Sequence, residues 1–372
     1  MAEAHNGKQH LKVVRIEDEV GGNRCYYLAP NPQKGTTHLA EFRAGQYLSV
    51  LLKFSGRILS RPYSIASSPR EAREGFYMLT IQRVEDGLAS CFIHDNWQVG
   101  TEVTVSEPLG HFTCASCRNA GTIVALVGGG CITPVRSLAM AIADGEEDVN
   151  LILLYGTGTL QETMFQKDLK ALESKCPRIR LVNVLCDEVR EGCEHGFITA
   201  QLIRKYAPLG AYSVFLCGPQ DMRRFVEKEL ESLGISQSQI CNELYGEYFE
   251  PDKEAEAVSA FLLTVRMDGG ERTVAAPSGM SLLRTLEENG FEVPARCRSG
   301  ECGWCQTKLI SGDVYVPRNV DGRIEAECPE GYIHPCYSFP RSDLVIEAPN
   351  RCKRRKKVTS ICVILYVNWA SQ

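Results

Sequence analysis

The chain has 372 residues, enough for two or three domains, each with a core of its own. Its 46 Asp and Glu against 41 Lys and Arg leave a formal net charge of −5, which excludes a polybasic nucleic-acid surface and gives no reason to expect nucleic acid as a partner. Seventeen cysteines would suit a disulfide scaffold in a small secreted protein, but here they are scattered along a chain that opens Met-Ala-Glu-Ala-His-Asn with no apolar signal segment, so reduced thiols and a cytoplasmic location are expected.

Residues 1–117 read as short strands at 11–16, 25–28, 46–52, 76–83 and 102–106, punctuated by Gly and Pro. Regular spacing of short strands predicts a small antiparallel β-barrel. Arg61-Pro62-Tyr63-Ser64 falls at a strand end in this region. Alternation along such a strand can aim the arginine at a phosphate, lay the tyrosine on an isoalloxazine ring and leave the serine hydroxyl beside the ring's redox-active nitrogen. Gly87-Leu-Ala-Ser90 opens a helix after strand 76–83, and a glycine and serine at a helix start suit a pyrophosphate. Cys114 and Cys117 form a lone C-x2-C and, without a second pair, read as incidental thiols.

The pattern changes at Gly121, and residues 118–249 form a second domain in this reading. Apolar strands at 122–127, 150–155, 179–185 and 212–216 alternate with helical segments at 133–143, 162–172, 197–206 and 220–233. Strands alternating with helices predict an α/β domain with a parallel sheet covered on both faces, which binds its ligand at the carboxyl ends of the strands. Gly128-Gly-Gly130 and Cys217-Gly-Pro219 stand at two such ends. Taken alone, the triplet reads equally as a strand-to-helix turn and Cys217 as buried core.

Residues 250–257 are charged, contain a proline and are read as an interdomain linker. From 258 to 350 the chain returns to strands, at 261–266, 272–275 and 343–347, with a helix over 281–289. Here Cys297, Cys302 and Cys305 are followed, after thirty intervening residues, by Cys336. C-x4-C-x2-C with a distant fourth cysteine is the ligand spacing of a plant-type 2Fe-2S cluster. Gly300 and Gly303 let the loop fold closely over inorganic sulfide. Zinc would also accept four thiolates, but two C-x2-C knuckles would be expected for it, and only one short pair is present. Cys328 lies eight residues before Cys336 and is read as a bystander. The tail 351–372 carries six Lys and Arg before an apolar run at 361–367, far shorter than the roughly 20 residues of a membrane span. It is expected to be a disordered basic tail and the chain's only route to a membrane.

With these motifs in order, residues 11–349 resemble the ferredoxin-NADP reductase superfamily, and more closely its oxygenase reductases that end in a plant-type ferredoxin domain. The resemblance implies three modules: an FAD-binding barrel, an NAD(P)H-binding α/β domain and an α+β domain of β-grasp type carrying the cluster. It implies that Arg61, Pro62, Tyr63 and Ser64 hold the flavin, with Gly87 and Ser90 near its phosphates. Gly128, Gly129, Gly130, Thr133 and Pro134 line the nicotinamide and pyrophosphate site, as do Gly218 and Pro219. Cys217 lies near the transferring nicotinamide, and Glu243 and Tyr245 form an acidic and aromatic pair close to the flavin. Ser64, Cys217 and Glu243 are thus the expected catalytic group, in positioning and tuning roles. Cys131 departs from the pattern by following the glycine turn where many relatives proceed directly to Ile-Thr-Pro. A second departure is Tyr155-Gly-Thr-Gly-Thr159, which lacks the arginine that in relatives can pair with a 2′-phosphate, so NADH is expected over NADPH.

The implied function is NAD(P)H-dependent electron transfer to a redox partner protein, an oxygenase or other metalloenzyme. A flavin links a two-electron donor to a one-electron carrier. A relay subunit fed by another flavoprotein is the non-enzymatic alternative, and a colourless zinc protein of regulatory type is a third.

Overall fold

A computed structural model describes residues 8–54, 57–85, 87–236, 239–243, 260–267, 270–298, 300, 303–316 and 331–348. The linker 250–257, the tail 351–372, Tyr245, Cys302 and Cys328 lie outside them. The chain divides into two compact units, residues 1–52 with 59–244 and residues 53–58 with 245–372.

In the first unit, strands β1 (Lys8–Glu19), β2 (Asn23–Pro30), β3 (Tyr47–Phe54) and β4 (Arg57–Ser64) precede helix α1 (Pro69–Arg73), strand β5 (Tyr77–Gln82), helix α2 (Leu88–Asn96) and strand β6 (Glu102–Ser106). The six strands form one sheet in the order β4-β3-β6-β1-β2-β5. An isolated antiparallel bridge between Ile65 and Leu79 joins the chain just past β4 to the opposite edge strand, so the sheet curls into the expected barrel. Alternate residues point inward, and Leu11, Val13, Leu28, Leu48, Val50, Leu79 and Val105 are buried together. Tyr26 meets Trp97 edge to face at 5.3 Å, a geometry worth about 0.5–1.5 kcal/mol beyond the area it buries.

After the single turn α3 (Cys114–Cys117) come β7 (Thr122–Gly128), α4 (Thr133–Ala143), β8 (Asn150–Thr157), α5 (Gln166–Lys175), β9 (Ile179–Leu185), β10 (Glu194–His195), α6 (Ala200–Tyr206), β11 (Ser213–Cys217), α7 (Gln220–Ser232) and β12 (Ile240–Glu243). The strands are all parallel, in the order β10-β9-β8-β7-β11-β12. β7 shows why its sequence is continuously apolar. Ile123, Ala125 and Val127 enter the core beneath α4 and α5, while Val124 and Leu126 enter the core beneath α6 and α7. The first of these cores also takes in Tyr27, Ala66, Met78 and Phe112 from the barrel, which makes the two sheets one packed body.

The structure differs from the expectations in several places. The segment expected as helix 162–172 is helical over Gln166–Lys175, and that expected at 197–206 begins at Ala200, behind the capping hydroxyl of Thr199. β10 and β12 were not expected. Cys117 is not an incidental thiol, because it forms a disulfide with Cys241 across 124 residues of sequence, and at this pair the expectation of reduced thiols fails.

The second unit holds β13 (Ala260–Met267), β14 (Gly270–Pro277), α8 (Leu282–Glu288), β15 (Thr307–Ser311), β16 (Val314–Tyr315), β17 (Tyr332–Ile333), β18 (Phe339–Pro340) and β19 (Leu344–Glu347). Its main sheet runs β14-β13-β19-β15-β17, with β13 and β19 parallel and the other paired strands antiparallel. Leu282, Leu283 and Leu286 of α8 pack on Leu263, Val265 and Ile346 of the sheet. Among the described residues no helix is long and apolar enough to cross a membrane.

Candidate functional site

Three groups of expected residues fall on three structural features. On β4, Ser64 is buried, while Arg61, Pro62 and Tyr63 are half-buried. Strand alternation puts Arg61 and Tyr63 on one face. Burial pushes the Tyr63 phenol up to about 12, against the pull of the Arg61 charge. Beyond β4 the chain is held to the barrel, with Ile65 N–H donating to Gln46 O at 2.9 Å and Ala66 N–H to Met78 O at 2.8 Å. At the start of α2, Ser90 Oγ accepts from Val84 N–H at 3.2 Å and donates to Gly87 O at 3.3 Å. A Cβ on Gly87 would lie 2.5 Å from Ser90 Oγ and 2.9 Å from Val84 O, so the turn has no room for a side chain there.

The second group stands at the carboxyl edge of the parallel sheet. Chain connections run from β7 toward β8 on one side and place β11 on the other, so the strand order reverses between β7 and β11, which is where open α/β sheets bind ligands. Gly128 ends β7 and Cys217 ends β11, with Val127 paired to Cys217 and Cys217 paired in turn to Glu243 on β12. The ladder therefore sets Val127, Cys217 and Glu243 in a row, with Gly128 one residue beyond Val127. Cys217 is fully buried and Glu243 nearly so. A Cβ on Gly128 would meet Met222 Sδ at 2.2 Å and Pro219 Cδ at 3.0 Å, and one on Gly218 would meet the same sulfur at 2.8 Å. The glycines thus let two strand ends close over one methionine of α7. Tyr155 Oη donates to Gly129 O at 3.0 Å, which fixes the turn that Gly130 continues into Thr133 and Pro134 at the head of α4.

Sequence reasoning missed three carboxylates beside this edge. A Cβ on Gly158 would lie 2.4 Å from Glu162 Oε2 and 2.8 Å from Asp187 Oδ2. Glu188 accepts from Leu160 N–H at 2.9 Å, and this contact, with help from Arg190, holds its carboxyl below the usual range. The signal available was Cys186-Asp-Glu188 directly after strand 179–185.

In the second unit Cys297, Cys305 and Cys336 are all at least 97% buried, and the sulfurs of Cys305 and Cys336 are 3.3 Å apart. Hydrogen bonding with Cys297 and Cys305, and then burial, push the Cys336 thiol well above its ordinary range. Burial favours the neutral thiols, and iron bound there would stabilise them as thiolates through its positive charge. Among the described residues no group of three or more His, Cys, Asp and Glu side chains is placed to hold a metal ion, so the fit rests on the burial of these thiols and the close sulfurs of Cys305 and Cys336.

The loop around the thiols is held from several sides. Arg298, 2% exposed and at φ 61°, pairs with Glu287 of α8. His334 Nδ1 donates to Gly300 O at 2.6 Å. Gly300 has φ +79°, and a Cβ there would lie 3.1 Å from Tyr337. Arg296 lies 3.4 Å from the centre of the Trp304 ring. Arg298 and His334 thus anchor the loop, and neither carried a separate signal in the sequence.

Comparison with known proteins agrees with this arrangement. Residues 32–114 match the family model of the oxidoreductase FAD-binding domain, 126–228 that of the oxidoreductase NAD-binding domain, and 265–341 that of the 2Fe-2S iron-sulfur cluster binding domain. The chain is 30% identical to the NADH oxidoreductase HCR of Escherichia coli over 306 residues, covering 82% of this chain and 88% of that one. It is 27% identical to the glycine betaine monooxygenase reductase subunit of Chromohalobacter salexigens, covering 92% of this chain and 96% of that one. The structure of phthalate dioxygenase reductase superposes with a TM-score of 0.64 at 24% identity, over 92% of this chain and 98% of that one. A flavin barrel, a nicotinamide sheet and a cluster module in this order place the chain in the ferredoxin-NADP reductase superfamily, among the iron-sulfur flavoprotein reductases that use FAD, a pyridine nucleotide and a 2Fe-2S cluster.

Proposed function

We propose that this reductase oxidises NADH at its parallel sheet and delivers electrons one at a time to a separate oxygenase or other metalloenzyme in the cytoplasm. The observation that carries this reading is the row of Val127, Cys217 and Glu243, with Gly128 next along β7, built into one packed body with the barrel that bears Arg61 to Ser64. Bound FAD supplies the exchange between two-electron and one-electron chemistry, and a 2Fe-2S cluster takes the single electrons.

The residues have these roles in the proposal. Arg61 neutralises a flavin phosphate, Pro62 and Tyr63 support the ring, and Ser64 offers a hydroxyl to its reactive edge. Gly87 and Ser90 shape the turn that faces the phosphates. Gly128, Gly129, Gly130, Thr133, Pro134, Gly218 and Pro219 make the shallow floor on which the nicotinamide lies. Cys217 and Glu243 orient it without moving a proton, and Tyr245 belongs with them by resemblance. Cys297, Cys302, Cys305 and Cys336 hold the cluster. The flavin module spans residues 1–117, the nicotinamide module 118–249 and the cluster module 258–350.

The preference for NADH gains support from the carboxylates near Gly158. A 2′-phosphate entering there would face Glu162, Asp187 and Glu188, and like charges at such a distance disfavour it. Reductase components of oxygenases among the relatives support an oxygenase as acceptor. Anaerobic addition of NADH to the purified protein should bleach the flavin, and NADPH should do so far more slowly. A flavin that dithionite reduces and NADH does not would leave the relay alternative.

A further inference from the structure

Helix α4, whose first turn carries Thr133 and Pro134, is tied to the chain that leaves β4 by side chains with no role in the reading so far. Arg136 NH1 donates to Ala66 O at 2.6 Å. Ser137 Oγ donates to Ser67 O at 2.7 Å, and Ser68 Oγ donates to Asp144 Oδ2 at 3.0 Å. Three consecutive residues, beginning two after Ser64, are thus bonded to the helix that begins at the nicotinamide turn. Ala66 and Ser67 are also bonded to the barrel, and Ser68 caps α1. Ala66 N–H donates to Met78 O at 2.8 Å, and Ser67 Oγ accepts from Met78 N–H at 3.0 Å.

Arg136 is the unusual member. It is 7% exposed, lies 4.8 Å from the centre of the Phe165 ring and pairs with Asp168 of α5 at 3.0 Å. Burying a guanidinium is costly, and an apolar side chain of similar length would fill the same space without that cost. A guanidinium alone can hold a main-chain carbonyl and a carboxylate at once in fixed directions. Thr133 and Arg136 are one helical turn apart on the same face, so a shift at Arg136 is passed to the nicotinamide turn.

We infer that Arg136 is a positioning residue for the reaction, fixing the distance between the flavin ring held by Tyr63 and Ser64 and the nicotinamide held at Thr133. This rests on the proposed roles of those residues in NADH oxidation. Misplacement on the order of 1 Å can cost about a hundredfold in rate, whereas binding depends on many contacts spread along the dinucleotide. Loss of Arg136 therefore lowers the rate of flavin reduction far more than the affinity for NAD.

The test compares Arg136→Met and Arg136→Lys in the full, FAD-loaded chain. Rapid mixing with saturating NADH reads the rate of flavin reduction, titration with NAD+ reads affinity, and amide hydrogen exchange of residues 65–68 reads the tie itself without the cofactor turning over. In Arg136→Met we expect reduction at least about tenfold slower, NAD+ affinity within about twofold and faster exchange at 65–68. Arg136→Lys, which can still donate to Ala66 O, should recover most of the rate and the protection. A packing role would reverse that order, with Met better than Lys, and this order or a wild-type rate in Arg136→Met would overturn the inference. Should Arg136→Met not fold, Ser137→Ala removes only the companion bond; a fall of about threefold in reduction supports the inference and a wild-type rate overturns it. A wild-type protein that NADH leaves oxidised overturns the reading of function and this inference with it, whereas an unchanged variant beside a responsive wild type overturns this inference alone.

Discussion

In the parallel sheet the proposed functional groups stand at the ends of neighbouring strands, whereas in the second unit they hang from one loop and one short turn. Gly128, Cys217 and Glu243 stand at the ends of β7, β11 and β12, which ladder hydrogen bonds join directly, with no nucleotide needed. Cys297, Cys305 and Cys336 are brought together by anchors such as Arg298 and His334, and burial keeps Cys336 a neutral thiol unless a metal stabilises the thiolate. A framework of strand ends distributes the work of binding, so damage there should be graded. A thiol site concentrates the work in four bonds to metal, so damage there should be close to all or none.

The largest expected effect lies on the thiol side. Cys336→Ser should abolish or strongly perturb the cluster, read as loss of iron and of the visible and EPR signals, while Cys328→Ser keeps both. The opposite pattern would break the contrast at its root.

On the flavin side, Arg61→Ala removes a charge-assisted phosphate contact. It should cost about 1.5–3 kcal/mol, or roughly tenfold to more than a hundredfold in FAD affinity. The protein should purify poor in flavin and take it up again at high FAD, a graded loss that a binding titration measures; unchanged affinity would remove Arg61 from the site.

Gly128→Ala sharpens the comparison further, because the new methyl collides mainly with the end of a flexible side chain, Met222 Sδ, and only secondarily with Pro219. Overpacking of this kind costs about 1–3 kcal/mol. Thermal unfolding should show that loss, and the added substitution Met222→Ala should restore part of it. If the double variant is no more stable than the single one, the strand ends are not closed over Met222 as described.

The smallest effect concerns pH at the far edge of the same sheet. Glu194 on β10 accepts from Lys205 Nζ at 2.6 Å and from Tyr206, and these contacts, Lys205 first, hold its carboxyl below the usual range. A lowered carboxyl pKa contributes stability above the unfolded value of about 4.3, and that contribution is lost as pH falls through the folded value. Glu194→Gln should therefore lose stability at pH 6 and converge on the wild type in acid. Urea midpoints that differ equally at both pH values would contradict it.

The parts most legible in the sequence were those where one physical pattern dominates. β7 is apolar without interruption because both its faces are buried, and α4 starts at Thr133-Pro134 because proline suits a first turn. Cysteine spacing pointed to the thiol site because three of its proposed ligands are local in sequence. The short edge strands were hidden. β12 reads Ile-Cys-Asn-Glu, half polar, because among the described residues only β11 pairs with it, and β10 has two residues. The carboxylates near Gly158 come from two different loops, and Arg136 looks like one more residue of an amphipathic helix until its carbonyl partner across the core is seen.

The disulfide between Cys117 and Cys241 makes a covalent ring of everything from α3 to β12, so all but the last two residues of the parallel-sheet region lie inside a closed circuit of chain. A protease that cuts once within that circuit opens it without releasing a fragment. Nicked protein should run as one species in a non-reducing gel and fall into two pieces when thiol is added, so intact mobility is no proof of an intact chain.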